Sequence, residues 1–134
     1  MSDDAGVALG TASTPYAERS LEDRRKEAQK IREKYPERTP VIVEKLRKKQ
    51  KLLRYGKTDS LPELLKSKYL VPSDLPWQQF QCLIRRRLRL TPDKAIFMFV
   101  NGTLPNPNHT VGQLEVDDAG FLFCTYTSEN TFGM

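Results

Sequence analysis

The sequence predicts an α+β fold in which a mixed four-stranded sheet grasps one central helix, with two extra helices in front. Three observations lead there. Trp77, Phe80, Leu83, Ile84 and Leu88 recur at steps of three and four residues, which is one helix face. Apolar, β-forming runs at 39–45, 68–71, 95–100 and 121–126 fall on both sides of that helix. A charged segment with a sparse apolar stripe precedes them all. Strands split around one helix imply a mixed sheet packed on it.

Residues 1–13 are small and polar and read as a disordered tail. Thr14 and Pro15 supply a capping hydroxyl and a first-turn proline for a short helix to about Arg19. Ser20 with Asp23 resembles a capping box. From there Leu21, Ala28, Ile31 and Tyr35 make one narrow stripe on an otherwise charged helix, ended by Pro36. Residues 39–45 hold the β-branched centre Val41, Ile42 and Val43 of a strand. Six cations in 47–57 accompany Leu52, Leu53 and Tyr55. They read as a solvated basic loop or short amphipathic helix, a membrane-surface segment or a nucleic-acid patch.

Lys68, Tyr69, Leu70 and Val71 form the strand before the central helix, closed by Pro72. Tyr69 and Val71 share one side, and Lys68 and Leu70 the other. An uncapped edge with apolar groups on both sides, next to Leu75, is a docking surface. Ser73 and Asp74 are expected to accept from the helix's first N–H groups, with Pro76 in its first turn. Arg85, Arg86, Arg87 and Arg89 crowd its C-terminal end, where cations offset the dipole. Residues 95–100 are apolar on both faces, which predicts an interior strand. Asn101-Gly102 is a hairpin signal leading to a short return strand. Residues 110–114 suggest one helical turn, and 121–126 the last strand. The domain therefore spans 14–127, with a basic insertion at 46–59 and a flexible tail at 128–134.

Composition excludes several functions. The longest apolar run is too short to span a bilayer, and the polar, acidic start lacks a signal-peptide pattern. Cys82 and Cys124 lack metal or redox spacing and read as reduced, buried thiols of a cytosolic protein. The single histidine, His109, sits in a Pro/Asn-rich loop, which argues against a nucleophile–His–carboxylate triad. No phosphate-binding glycine loop is present, and with no metal-ligand cysteine spacing either, neither cofactor nor metal is expected. A net charge of +5 suits acidic partners. The polar face of 85–89 has no interleaved aromatics to stack bases, so nucleic acid is not the expected partner.

Three co-linear blocks resemble the autophagy ubiquitin-like modifiers, the family of the GABA-receptor-associated protein and the microtubule-associated light chains. They are 30–45 (KIREKYPERTPVIVEK), 68–90, and FMFVN with VGQL, Phe121-Leu122 and the Phe132-Gly133 end. The resemblance covers about 21–134. It implies a ubiquitin-like β-grasp with two added N-terminal helices, and a modifier rather than an enzyme. A cysteine protease would cut behind Gly133 and remove Met134. E1-like and E2-like enzymes would then pass the Gly133 carboxylate to phosphatidylethanolamine. The product would sit on the autophagosome membrane, and the unconjugated form in the cytoplasm. The alternatives are a non-conjugated peptide-binding adaptor of the same fold and, behind it, a basic nucleic-acid-binding protein.

The resemblance also implies docking of autophagy receptors bearing aromatic-x-x-aliphatic motifs by β-augmentation. Carried over by position, Glu27, Ile31, Pro40, Lys68, Leu70 and Phe121 form the aromatic pocket. Tyr69, Val71, Pro72, Leu75, Phe80 and Leu83 form the aliphatic pocket. Arg38, Lys66, Lys68 and Arg87 would attract the acidic residues flanking such peptides. The chain departs from compact members in a tail about ten residues longer and in an insertion of similar length at 47–58. It is also shorter at 115–120, which implies loss of the small helix before the last strand.

Overall fold

The computed structural model describes residues 7–10, 16–46 and 61–128. The expected helix start at Thr14-Pro15, the insertion at 47–58, and Gly133 with Met134 lie outside them. In chain order the elements are β1 (Val7–Gly10), a 3-10 turn (Tyr16–Glu18), α1 (Leu21–Lys34), β2 (Arg38–Lys45) and β3 (Lys68–Pro72). Then come α2 (Trp77–Arg87), β4 (Phe97–Val100), a second 3-10 turn (Val111–Gln113) and β5 (Leu122–Thr127). The sheet order is β1-β3-β2-β5-β4, with β2 and β5 parallel and the other pairs antiparallel. This is the ubiquitin-like β-grasp.

Two expectations of that fold are corrected. The sheet has five strands, because Val7–Gly10 pairs with β3 instead of belonging to a disordered tail. Among the described residues the first extra helix is one 3-10 turn, Tyr16–Glu18.

Each face of the sheet buries its own cluster. Val41 and Val43 of β2, Tyr69 and Val71 of β3, and Leu122 and Cys124 of β5 pack with Trp77, Phe80, Leu83 and Ile84 of α2. On the opposite face Ile42 joins Tyr16, Ala28, Ala119 and Phe121, with Leu21 and Ile31 of α1 packed against them. The difference in helix composition follows. α2 covers the larger cluster and needs a broad apolar face, whereas α1 covers the smaller one and manages with a stripe. Ser20 caps α1 by accepting from the Asp23 N–H at 3.0 Å.

The start of α2 is satisfied from a distance. The Trp77 N–H donates to the His109 carbonyl at 2.7 Å, and that of Gln78 to the Pro107 carbonyl at 3.2 Å. Pro76 is the N-cap residue and makes no side-chain cap bond. Ser73 does not cap the helix as the sequence suggests. Its hydroxyl pairs with that of Thr39 at 2.8 Å. The second 3-10 turn closes on this corner, with Val111 N–H donating to Leu75 and Gly112 N–H to Ser73, both at 2.8 Å. A side chain at Gly112 would meet the Ser73 Cβ and carbonyl oxygen at 3.0 Å, so the close approach requires glycine.

Among the described residues β4 pairs only with β5 and is an edge strand, not the interior strand its composition suggests. Met98, Phe99 and Val100 are nevertheless buried. Burial of both faces depends on the layers above and below, not on a neighbour at each edge. Asn101 (φ 52°) and Gly102 (φ 80°) make the expected turn, but the return is one bridge, Val100 to Thr103. Residues 115–120 hold a turn and no helix. Cys124 is buried as expected, with desolvation pushing its thiol well above the ordinary range. Cys82 is exposed, which corrects its reading as a buried thiol. Among the described residues no helix is long and apolar enough to cross a membrane.

The chain returning from 61 to β3 is pinned by Tyr126. Its hydroxyl donates to the Pro62 carbonyl at 2.8 Å and accepts from the Leu64 N–H at 3.1 Å. Tyr126→Phe is expected to lower stability by about 1–2 kcal/mol through these two bonds. Urea denaturation of the two proteins checks this, and an unchanged midpoint would contradict it.

Candidate functional site

β3 lies between β1 and β2, and its ladder fixes which groups face outward. Pro40, which has no N–H, sits opposite Leu70. Val43 N–H donates to the Ser67 carbonyl at 2.8 Å, and Ser73 N–H to the Glu37 carbonyl at 3.0 Å. In an antiparallel pair the bonded residues alternate. The main-chain groups of Tyr69 and Val71 therefore face β2, while those of Lys68 and Leu70 face the other way. Pro72 also falls in the outward set, so its missing N–H costs β2 nothing.

The residues expected to form the aromatic pocket come together around this edge, with a difference in depth. Glu27 and Lys68 are joined by an ion pair of 2.7 Å, and the other Glu27 oxygen lies 2.6 Å from Arg19. Pro40 and Leu70 are cross-strand partners. Ile31 packs against the cluster that contains Phe121. Phe121 itself is fully buried and acts as floor, not wall. The outward side of Leu70 is paired with Val7 of β1.

Burial acts to raise the Glu27 carboxyl, but the hydrogen bonds and charges of Lys68 and Arg19 outweigh it and hold the group below the usual carboxylate range. Nearby, the Tyr16 ring stacks on Phe123 with centroids 5.4 Å apart and meets Phe121 edge-on at the same separation. Its hydroxyl donates to Asp117, and the Arg24 guanidinium lies 4.9 Å from the ring centroid. Burial, then the Asp117 bond, push the Tyr16 hydroxyl well above its ordinary range. The other Asp117 oxygen accepts from the N–H groups of Ala119, Gly120 and Phe121, each at 3.0 Å. One carboxylate thus ties the N-terminal turn to the loop entering β5.

The aliphatic set divides. Tyr69, Val71, Phe80 and Leu83 belong to the α2-side core, and Leu75 packs on it. Tyr69 and Leu83 also line an open cleft of about 460 Å³ with Glu63, Leu64, Leu65, Lys66, Arg86, Arg87 and Arg89. Val71, Pro72, Leu75 and Phe80 lie outside that lining. The Tyr69 hydroxyl donates to the Lys66 carbonyl at 2.9 Å, and the Arg87 guanidinium sits 5.5 Å from the Tyr69 ring centroid. Burial raises the Tyr69 hydroxyl, and the Arg87 charge partly opposes it. Leu65 is 90% exposed at the rim.

Of the cations expected near an acidic flank, Lys66 and Arg87 reach this cleft. Lys68 is held by Glu27, and Arg38 donates to the Leu70 carbonyl at 3.3 Å. Arg86 and Arg89 line the cleft but were not among the sequence candidates. Their signal was the arginine cluster at the helix end, read there as an answer to the dipole. Among the described residues no group of three or more His, Cys, Asp or Glu side chains is placed to hold a metal.

A family profile described as "Autophagy protein Atg8 ubiquitin like" matches residues 23–133. The chain is 47% identical over 119 residues to Autophagy-related protein 8A of Oryza sativa subsp. indica, covering 87% of this chain and 92% of the relative. It is 46% identical over 116 residues to Autophagy-related protein 8e of Arabidopsis thaliana, covering 84% and 87%. Its fold superposes on the crystal structure of Trypanosoma brucei ATG8 with a TM-score of 0.72 at 32% identity, covering 92% of this chain and 100% of that one.

The Glu27 carboxylate has a pH signature. Its folded-state value lies below that of a free glutamate, about 4.3, so its stabilisation is complete above that value and is lost as pH falls through the lowered one. Glu27→Gln is expected to cost about 1–2 kcal/mol at pH 7, where two cations lose a charged acceptor. Denaturation of both proteins at pH 7 and pH 3 should show the gap shrinking at the lower pH. A gap equal at both would remove the ionised carboxylate as its cause.

Proposed function

The chain belongs to the Atg8 family of autophagy ubiquitin-like proteins, and we propose that it works as a conjugatable modifier and docking scaffold of autophagy. In this reading a cysteine protease cuts behind Gly133 and releases Met134. An E1-like enzyme activates the new carboxylate, E2-like thioesters carry it, and phosphatidylethanolamine receives it. Glycine suits each transfer, since without a Cβ it threads a narrow cleft. The protein is then cytoplasmic until conjugated and bound to the autophagosome membrane afterwards.

On that membrane it recruits receptors whose aromatic-x-x-aliphatic segments add a strand to β3 and anchor side chains on either side. The observation that carries this reading is the junction, at Tyr69, of the β3 ladder turned away from β2 with an open cleft lined by leucines and cations. Leu64, Leu65, Tyr69 and Leu83 line that cleft together with four cations, Lys66, Arg86, Arg87 and Arg89, and one acid, Glu63. Glu27, Ile31, Pro40, Lys68, Leu70 and Phe121 are the proposed aromatic side of the edge. Tyr69, Val71, Pro72, Leu75, Phe80 and Leu83 are the proposed aliphatic side. For Val71, Phe80 and Phe121 this means shaping the floor, as all three are fully buried. With Lys68 and Arg38 engaged by internal acceptors, attraction of an acidic flank falls mainly on Lys66, Arg86 and Arg89 of the cleft.

Intact masses of wild type and Gly133→Ala from cells, with and without an autophagic stimulus, test conjugation. The wild type is expected to lose Met134 and gain the mass of phosphatidylethanolamine, and the variant to do neither. Retention of Met134 with no adduct would leave an unconjugated peptide-binding adaptor in its place. For docking, Lys66→Glu with Arg86→Glu is expected to weaken an acidic aromatic-x-x-aliphatic peptide about 3–30-fold, chiefly in the association rate. Stopped-flow binding at two salt concentrations checks this. A rate that neither the variants nor salt changes would contradict a role for the rim.

A further inference from the structure

The groups that an added peptide strand would need are already taken. Val7 of β1 stands opposite Leu70, Ala8 opposite Tyr69, and Gly10 opposite Lys68. Since the Leu70 and Lys68 main chains face away from β2, β1 occupies the side of β3 on which β-augmentation would occur. One edge admits one strand. We infer that Val7–Gly10 is a built-in competitor that closes the docking edge and is displaced when a peptide strand is added. This rests on the peptide-docking reading of β3 proposed above.

The pairing has the marks of a reversible contact. It is four residues long, against eight for β2, and its register slips between Ala8 and Gly10. That slip places Leu9 as the extra residue of a bulge, where the ladder is locally broken. A short strand with one irregularity is a weak partner by itself, and attachment to the same chain compensates. Tyr16, just beyond the short connection 11–15, is buried and fixed through its hydroxyl to Asp117. A short tether of this kind keeps the local concentration of a strand in the millimolar range. Closure then lowers the fraction of chains ready to bind, and apparent affinity falls by that fraction. The closed form slows capture of a peptide and leaves its release unchanged, because the bound state is the same.

The test uses the full chain and the double variant Val7→Pro with Gly10→Pro. Proline at these two positions removes the N–H groups that face Leu70 and Lys68. Two readouts are taken: hydrogen exchange of the Lys68 and Leu70 amides without peptide, and stopped-flow anisotropy with a labelled acidic peptide containing Trp-Glu-Glu-Leu. The inference expects both amides to be protected in the wild type and to exchange faster in the variant. It also expects the variant to bind the peptide about 3–30-fold tighter, through faster association at an unchanged dissociation rate. Equal exchange in the two proteins, or faster exchange with unchanged affinity, would overturn the competitor while leaving docking intact. If neither protein binds the peptide although exchange differs, the docking reading itself fails, and the competitor with it.

Discussion

β2 is buried from both sides, and the rest of the fold answers that requirement. Val41 and Val43 face one cluster and Ile42 the other, and all three are essentially inaccessible. Each such side chain contributes about 1.5–3 kcal/mol only while its face is covered. α2 supplies one cover with Trp77, Phe80, Leu83 and Ile84. The other is assembled from less: the stripe of α1, the Tyr16 ring and the loop that Asp117 organises. Two covers of unequal strength on one strand explain why the N-terminal segment must be fastened by polar contacts as well as by packing.

Those fastenings converge beside the candidate site. Glu27 joins Arg19, next to the first 3-10 turn, to Lys68 at the start of β3. Anything that moves α1 relative to the sheet therefore also moves the charge pattern along β3. On the α2 side Tyr69 has two roles, since its ring is core and its hydroxyl sets the Lys66 carbonyl at the cleft. Arg87 over that ring adds a cation–π contact to the cleft wall. The site is thus made from groups that also hold the domain together.

How much of this was legible depended on whether the signal was local. The α2 face, the narrow stripe of α1 and the Asn101-Gly102 turn are read from residues a few positions apart, and the structure keeps all three, save that Tyr35 is exposed at the end of α1. β1 was not legible: Val7-Ala8-Leu9-Gly10 is short, and alanine and glycine are weak strand formers. Only its distant partner β3 makes it a strand. The same applies to β4, whose apolar faces said buried but not which position in the sheet order. The carbonyls of Pro107 and His109 that start α2 lie about thirty residues away, beyond any capping pattern. At the site, the two sets around β3 followed from the family resemblance, whereas the cleft lining of Arg86 and Arg89 required the packed helix end beside residues 63–66.

The parallel pairing of β2 with β5 has a consequence in time. Val41 meets Leu122 and Lys45 meets Tyr126, so the middle of the sheet joins segments from opposite ends of the sequence. Closing so long a loop costs entropy before any contact returns it, and topologies rich in such pairs fold slowly. A nascent chain that has made β2, β3 and α2 still lacks the strand that completes the centre of its sheet. Until β5 is synthesised, one side of β2 is an unsatisfied ladder flanked by apolar side chains, the kind of surface that chaperones hold and that neighbouring chains can capture.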